Sequence, residues 1–194
     1  MCRRHRPLVI LDRDGVINQD SPDFIKSPGE FIPLPGSLQA IASLSQAGFE
    51  VVIASNQSGV GRGLFSLATL ERIHRKLRAE VEAKGGAIAG IYYCPHKPDD
   101  GCDCRKPKPG LLEQIAKVYH RNLDGVPVIG DSLRDLEAAI AAGAEPILVR
   151  TGNGRRTETK LGDESQITVF DDLAAAAAAL VNAAAADAGA GHNS

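Results

Sequence analysis

Leu8-Val-Ile-Leu-Asp-Arg-Asp-Gly15 decides how this chain is read: four apolar residues run straight into two carboxylates and a glycine. A short apolar run closed by a turn signal is a buried strand ending in a tight loop. Ligands of open α/β sheets bind beyond the carboxyl ends of strands, so Asp12 and Asp14 stand where chemistry is expected. Two carboxylates this close repel each other unless a cation lies between them. Taken alone, the stretch equally suits a strand with an acidic turn at Asp14-Gly15. The rest of the chain has to decide.

Downstream, polar Asn18 to Pro35, rich in proline and glycine, predicts a flap over the strand ends. Ser37 to Ala47 carries Leu38, Ile41 and Leu44 at helical spacing and stops at Gly48. Glu50 to Ser55 is a second buried strand, followed by a glycine-rich polar loop over Asn56 to Gly63. Ser66 to Lys84 is an amphipathic helix with Leu70, Ile73, Leu77 and Val81 on one stripe; His74 beside it reads as a partly buried structural histidine. Strands follow at Ile88–Tyr93, Val126–Gly130 and Pro146–Val149, separated by helices at Pro109–Tyr119 and Ser132–Ala142. A short strand at Ile167–Phe170 and a helix over Asp171–Ala186 complete the chain, with 187–194 expected to be a disordered tail. This alternation predicts an α/β fold, a Rossmann-like parallel sheet with helices on both faces, in one domain over residues 1–186.

The composition agrees with a single domain: 194 residues, 43% hydrophobic and 24% charged, suffice for a full core. A net charge of −2 gives no basic field for nucleic acid. No run approaches the roughly 18 apolar residues that span a bilayer. The basic start, Met1 to Pro7, lacks the apolar segment of a signal peptide. These features predict a cytoplasmic protein with neither nucleic acid nor membrane as partner; a monomer acting on a small molecule is the expectation.

Polar residues follow three strands: Asp12 and Asp14, then Ser55 and Asn56, then Asp131, while Lys106 precedes the helix after the third strand. Such strand ends converge in one crevice. A carboxylate can attack phosphorus, Mg²⁺ suits two carboxylates and a phosphate oxygen, and a lysine and a hydroxyl balance charge on the transferring group. Asp135, one turn after Asp131, could hold a metal-bound water, orient Lys106, or simply be a first-turn acid favoured by the helix dipole.

Asp12-Arg-Asp-Gly15, Ser55, Lys106 and Gly130-Asp131 with Asp135, in this order on alternating strands, resemble the four motifs of the haloacid dehalogenase-like phosphatases. Asp12 to Asn18, Ser55-Asn-Gln-Ser-Gly59, Ile91 to His96 and Cys104-Arg-Lys-Pro-Lys-Pro-Gly110 are similar to the heptose 1,7-bisphosphate 7-phosphatases among them. The resemblance implies a phosphoric monoester hydrolase of nucleotide-heptose biosynthesis, with Asp12 as nucleophile and Asp14 as general acid/base. It implies Mg²⁺ on Asp12, Asp131 and the main-chain carbonyl of Asp14, phosphoryl stabilisation by Ser55 and Lys106, and substrate recognition by Asn56 and Arg105. Val16 and Ser55 stand where many relatives have threonine, and the flap stretch Asp20-Ser-Pro-Asp23 departs from the pattern. The rival in this class is a histidinol-phosphate phosphatase; outside it, a zinc-stabilised binding module without catalysis.

Cys94, His96, Cys102 and Cys104 form a separate set within eleven residues. Three thiolates and an imidazole match a closed tetrahedral zinc site, and a loop this rich in proline and aspartate has no core of its own. The alternative is a reduced cysteine-rich surface loop. Arg105 and Lys106 follow at once, so the zinc loop is expected to hold both at the phosphate. Neither the segment before Glu50 nor that between Ser55 and Lys106 leaves room for a separate cap domain. Arg62 is weighed between a second anion contact and a solvated surface arginine.

Overall fold

A computed structural model describes residues 6–162 and 166–190. Six parallel strands form one sheet in the order β3-β2-β1-β4-β5-β6. They are β1 (Leu8–Leu11), β2 (Glu50–Asn56), β3 (Gly90–Cys94), β4 (Pro127–Gly130), β5 (Glu145–Val149) and β6 (Thr168–Phe170). Alternate side chains of a strand point to opposite faces, and the core divides accordingly. Val9 and Leu11 pack with Ile41, Leu44, Ile73 and Leu77 on one face, whereas Leu8 and Ile10 pack with Leu112, Ile115 and Ala138 on the other. The first layer is built by α1 (Ser37–Gln46), α3 (Leu67–Glu82) and α7 (Leu173–Ala190), the second by α4 (Gly110–Val118) and α5 (Leu133–Ala141). Among the described residues no helix is long and apolar enough to cross a membrane.

The register sets the crevice. Leu11 pairs with Ile53 on one side and Ile129 on the other, so Asp12 and Asp131 emerge from neighbouring strands at the point where the chain's direction of winding reverses. Asn56 pairs with Cys94, which starts the cysteine loop beside the end of β2.

Four expectations change. Residues 56–63 are not an open loop: β2 runs to Asn56, and Ser58–Gly61 form a helical turn, α2. Its Gly61 lies against the main chain of Pro95 and Lys97, where a Cβ would collide, and its N–H donates to the Pro95 carbonyl at 2.9 Å. The third strand begins two residues late and ends on Cys94. A further helix, α6 (Gly154–Leu161), has almost no apolar residues; Arg150 ties it, through Glu158, to Asp171 just past the end of β6. The last helix runs to Ala190, past Ala186; the rest of the expected tail, like Cys2, lies outside the described residues.

Candidate active site

Eight residues singled out from the sequence line one cavity of about 170 Å³: Asp12, Asp14, Ser55, Asn56, Arg105, Lys106, Asp131 and Asp135. The flap closes one side through Asp20, Ser21, Phe24 and Ile25. It is fastened from behind by Lys76 of α3, whose Nζ donates to the carbonyls of Pro28 and Phe31 at 2.8 and 2.9 Å. Arg62 is exposed and does not line the cavity, which favours the solvated reading of it.

Lys106 is the hub. Its buried ammonium donates to Asp12 Oδ1 at 2.8 Å and to the Ala54 carbonyl at 2.7 Å, and pairs with Asp135 Oδ1 at 2.5 Å. Burial opposes that charge, but Asp12 and Asp135 more than offset it and raise the lysine's pKa. Asp135 is held below the usual carboxylate range: burial works against ionisation, and the lysine overrides it. Its other oxygen accepts from the Ser132 N–H and hydroxyl, so Asp135 caps α5 and grips Lys106 together. Two of its three sequence readings are thus realised in one geometry, and both oxygens are occupied.

Asp12, Asp131 and Asp135 each bring a carboxylate oxygen within 4.8 Å of the others. Burial, and beyond Lys106 the neighbouring carboxylates, push Asp12 up to about 8 in the metal-free protein. Burial likewise raises Asp131 to about 6, against hydrogen bonds from Asn153. Asn153 donates its N–H and its amide to Asp131 Oδ2 at 2.7 and 3.2 Å, while among the described residues Oδ1 accepts nothing. Gly15 is required at this point: it has φ of +83°, and a Cβ there would strike the Asp131 carboxylate. Crowded, buried, under-neutralised oxygens fit a hard divalent cation, which would restore ionised Asp12.

Asp14 belongs to a different neighbourhood. Its carboxylate accepts from Arg13 Nε and Nη2, from Asn18 and from Gln57, all at 2.8–3.0 Å. Gln57 also donates to Ser55 Oγ at 2.8 Å, coupling the hydroxyl to the acid. Arg13 is fully buried, and its Nη1 meets His74 Nε2 at 3.4 Å. Burial, then the guanidinium, lowers His74 to about 3, so the ring is neutral and accepts from Arg13. The histidine is structural, as expected, and more buried than the sequence implied.

Asn56, expected to recognise the substrate, lines the cavity and also holds the Lys106 main chain. Its amide donates to the Lys106 carbonyl at 3.0 Å and accepts from the Lys106 N–H at 3.1 Å. This two-way clamp fixes the lysine's main chain. Residues overlooked in the sequence are Arg13, Asn18, Gln57 and Asn153. Asn153 had a usable signal, a polar glycine-containing break after the buried β5, the same kind that marked the other strand ends.

Beside the cavity, Cys94 Sγ lies 3.5 Å from His96 Nδ1 and 3.6 Å from Cys102 Sγ, and Cys104 Sγ lies 3.3 Å from the same nitrogen. Tetrahedral zinc with bonds of about 2.0–2.3 Å separates its ligands by roughly 3.5–3.8 Å. No pair is near the roughly 2.05 Å of a disulfide, and all three thiols are free. The four donors fit one zinc ion.

A HAD-hydrolase-like family model matches residues 103–176, and a polynucleotide kinase 3 phosphatase model matches residues 11–133. The chain is 57% identical to the D-glycero-beta-D-manno-heptose-1,7-bisphosphate 7-phosphatase of Pseudomonas putida, over 90% of this chain and 99% of that protein. The relative of the same name from Escherichia coli is 34% identical, over 86% and 91%. The crystal structure of D,D-heptose 1,7-bisphosphate phosphatase from Bordetella bronchiseptica with magnesium and phosphate matches with a TM-score of 0.88 and 56% identity, covering 91% of this chain and 99% of that one. That of Burkholderia thailandensis matches with a TM-score of 0.72 and 42% identity, at the same coverage. On fold, site and relationship together, this chain belongs to the heptose-bisphosphate phosphatase family of haloacid dehalogenase-like hydrolases.

Proposed function

We propose that this protein hydrolyses the 7-phosphate of D-glycero-β-D-manno-heptose 1,7-bisphosphate, acting as a cytoplasmic monomer on a small sugar phosphate, with neither nucleic acid nor membrane as partner. The chemistry is carried by the bridge from Asp12 through Lys106 to Asp135 beside Asp131; the choice of sugar rests on the relatives. The catalytic unit is the single domain of residues 1–186.

Asp12 keeps Oδ2 without a hydrogen bond among the described residues, whereas Oδ1 is held by Lys106, so Oδ2 is the attacking atom. Its bond to phosphorus forms as the bond to the sugar oxygen breaks, and Asp14 gives the departing alkoxide a proton. Asp14 then takes a proton from water, whose oxygen attacks phosphorus and releases the Asp12 carboxylate with inorganic phosphate. Lys106 and Ser55 neutralise and hydrogen-bond the equatorial oxygens of the phosphoryl group. Arg13, Asn18 and Gln57 fix the direction in which Asp14 points. Mg²⁺, held by Asp12, Asp131 and the Asp14 carbonyl, supplies charge neutralisation that lets one anion approach another. Arg105 recognises the substrate, and zinc on Cys94, His96, Cys102 and Cys104 holds the loop that carries it.

Phosphate release across a panel of sugar phosphates with Mg²⁺ tests the reading. The β-anomer of the heptose bisphosphate is expected to give the highest kcat/KM. A higher value for histidinol phosphate, or release from no compound, would overturn it. Asn56→Ala should lower kcat about tenfold with a smaller effect on KM, because the lysine's main chain loses both clamp bonds while the pocket gains space. A change confined to KM would return Asn56 to direct substrate contact.

A further inference from the structure

The substrate read above carries two phosphates, yet Asp12, Ser55 and Lys106 all attend to the one being transferred. The other needs cations elsewhere along the crevice. Arg105 lines the cavity and spends one donor on the His96 carbonyl at 3.3 Å, leaving the rest of its fork available. Arg134 lines the same cavity from the first turn of α5. It is exposed, and among the described residues it makes no hydrogen bond or ion pair. Glu137, one turn further on, shares a surface groove with Arg134 but forms no ion pair with it.

A cation in that turn also stands against the positive end of the helix dipole. Among the described residues no carboxylate pairs with it, and folding does not explain an arginine there. The space beyond it does. Arg105, Lys106 and Arg134 of the cavity also line a second groove, of about 350 Å³, with Lys108 and no carboxylate. The catalytic cavity, by contrast, is lined by five carboxylates. One end of the crevice is therefore made for a cation and its bound phosphate, the other for a bare anion.

We propose that Arg134, together with Arg105, holds the phosphate that is not transferred, so that Arg134 selects a bisphosphate over the corresponding monophosphate. The inference rests on the bisphosphatase reading. Two charged donors on a phosphate make a bidentate, charge-assisted contact that a monophosphate cannot use.

The test compares the full-length, Mg²⁺-loaded wild type with Arg134→Ala and Arg134→Lys on the heptose 1,7-bisphosphate and on the heptose 7-phosphate. In Arg134→Ala the ratio of kcat/KM for the bisphosphate to that for the monophosphate should fall about tenfold or more, through KM. Lysine should restore part of the ratio, since it keeps the charge and loses the fork. An unchanged ratio, or equal losses on both substrates, would overturn the proposal, as would a wild type indifferent to the second phosphate. If the wild type instead prefers the bisphosphate of another sugar, the heptose reading fails. Arg134 is then judged by the same ratio on that sugar's bis- and monophosphate.

Discussion

Asp12→Asn is expected to lower phosphate release by on the order of 10³-fold or more, because an amide oxygen cannot take over the bond to phosphorus. The substitution is nearly isosteric, and it should leave the fold standing. Metal-free, the variant should melt no lower than the wild type. Burial, outweighing the pull of Lys106, pushes the wild-type carboxyl up to about 8, so its charge is a burden on the native state without a cation. The sign follows from proton linkage. Between the unfolded value near 3.8 and the folded value of about 8, the native state holds a proton that the unfolded chain has lost. Wild-type stability relative to the variant therefore falls as pH rises through that window and levels off above it. The variant's advantage in melting temperature should widen from pH 5 to pH 8. Mg²⁺ should reverse the order, stabilising the wild type more than the variant. Calorimetry with and without Mg²⁺, beside a phosphate-release assay, checks both halves. Residual turnover near the wild-type rate would remove Asp12 as the nucleophile, and an advantage that shrinks with rising pH would contradict the burial argument.

How much of this was written in the sequence depends on the kind of interaction. The strands were legible because Leu8–Leu11, Val51–Ala54 and Val128–Gly130 are continuous apolar runs, and burial on both faces demands such runs in a parallel sheet. The strand-end residues followed, since the topology gathers them at one edge. The α6 helix was not legible: Gly154–Leu161 buries only Gly154 and Thr157, so no apolar stripe marks it. Its place is fixed by Arg150 and by the Thr157 hydroxyl, which donates to the Asp131 carbonyl at 2.9 Å. The positioning network around Asp14 was hidden for a related reason. Arg13, between two aspartates, reads as a surface charge, and only the fold buries it against His74 and Gln57. Asn56 was placed in the right crevice, but its partner is the main chain of a residue fifty positions away, which no local pattern records.

Loss of the zinc cluster should produce the second large effect, through Lys106 rather than through the core. Cys104→Ala is expected to empty the site from one zinc per chain to none by elemental analysis, because three donors remain where tetrahedral closure needs four. The cluster spans eleven residues, 94–104, and tying such a loop contributes stability comparable to a crosslink of that size, about 3 kcal/mol. For a domain of this length that is roughly 10 °C in melting temperature. The core should survive, since the loop contributes Cys94 to it and little else among the strongly buried residues. What loosens is the segment that carries Arg105 and Lys106, held from outside by the Asn56 clamp, the contact of Lys106 with Ala54, and its two acidic partners. We expect kcat to fall about 100-fold and protease cleavage to appear within residues 97–108. Acidification should mimic the substitution. In the metal-free loop, burial and the Cys104 thiol push Cys94 up to about 12, so protons compete with zinc for that sulfur and the ion should leave more readily as pH falls. A Cys104→Ala protein that loses its zinc but keeps the wild-type kcat would show that the loop holds neither Arg105 nor Lys106 in place.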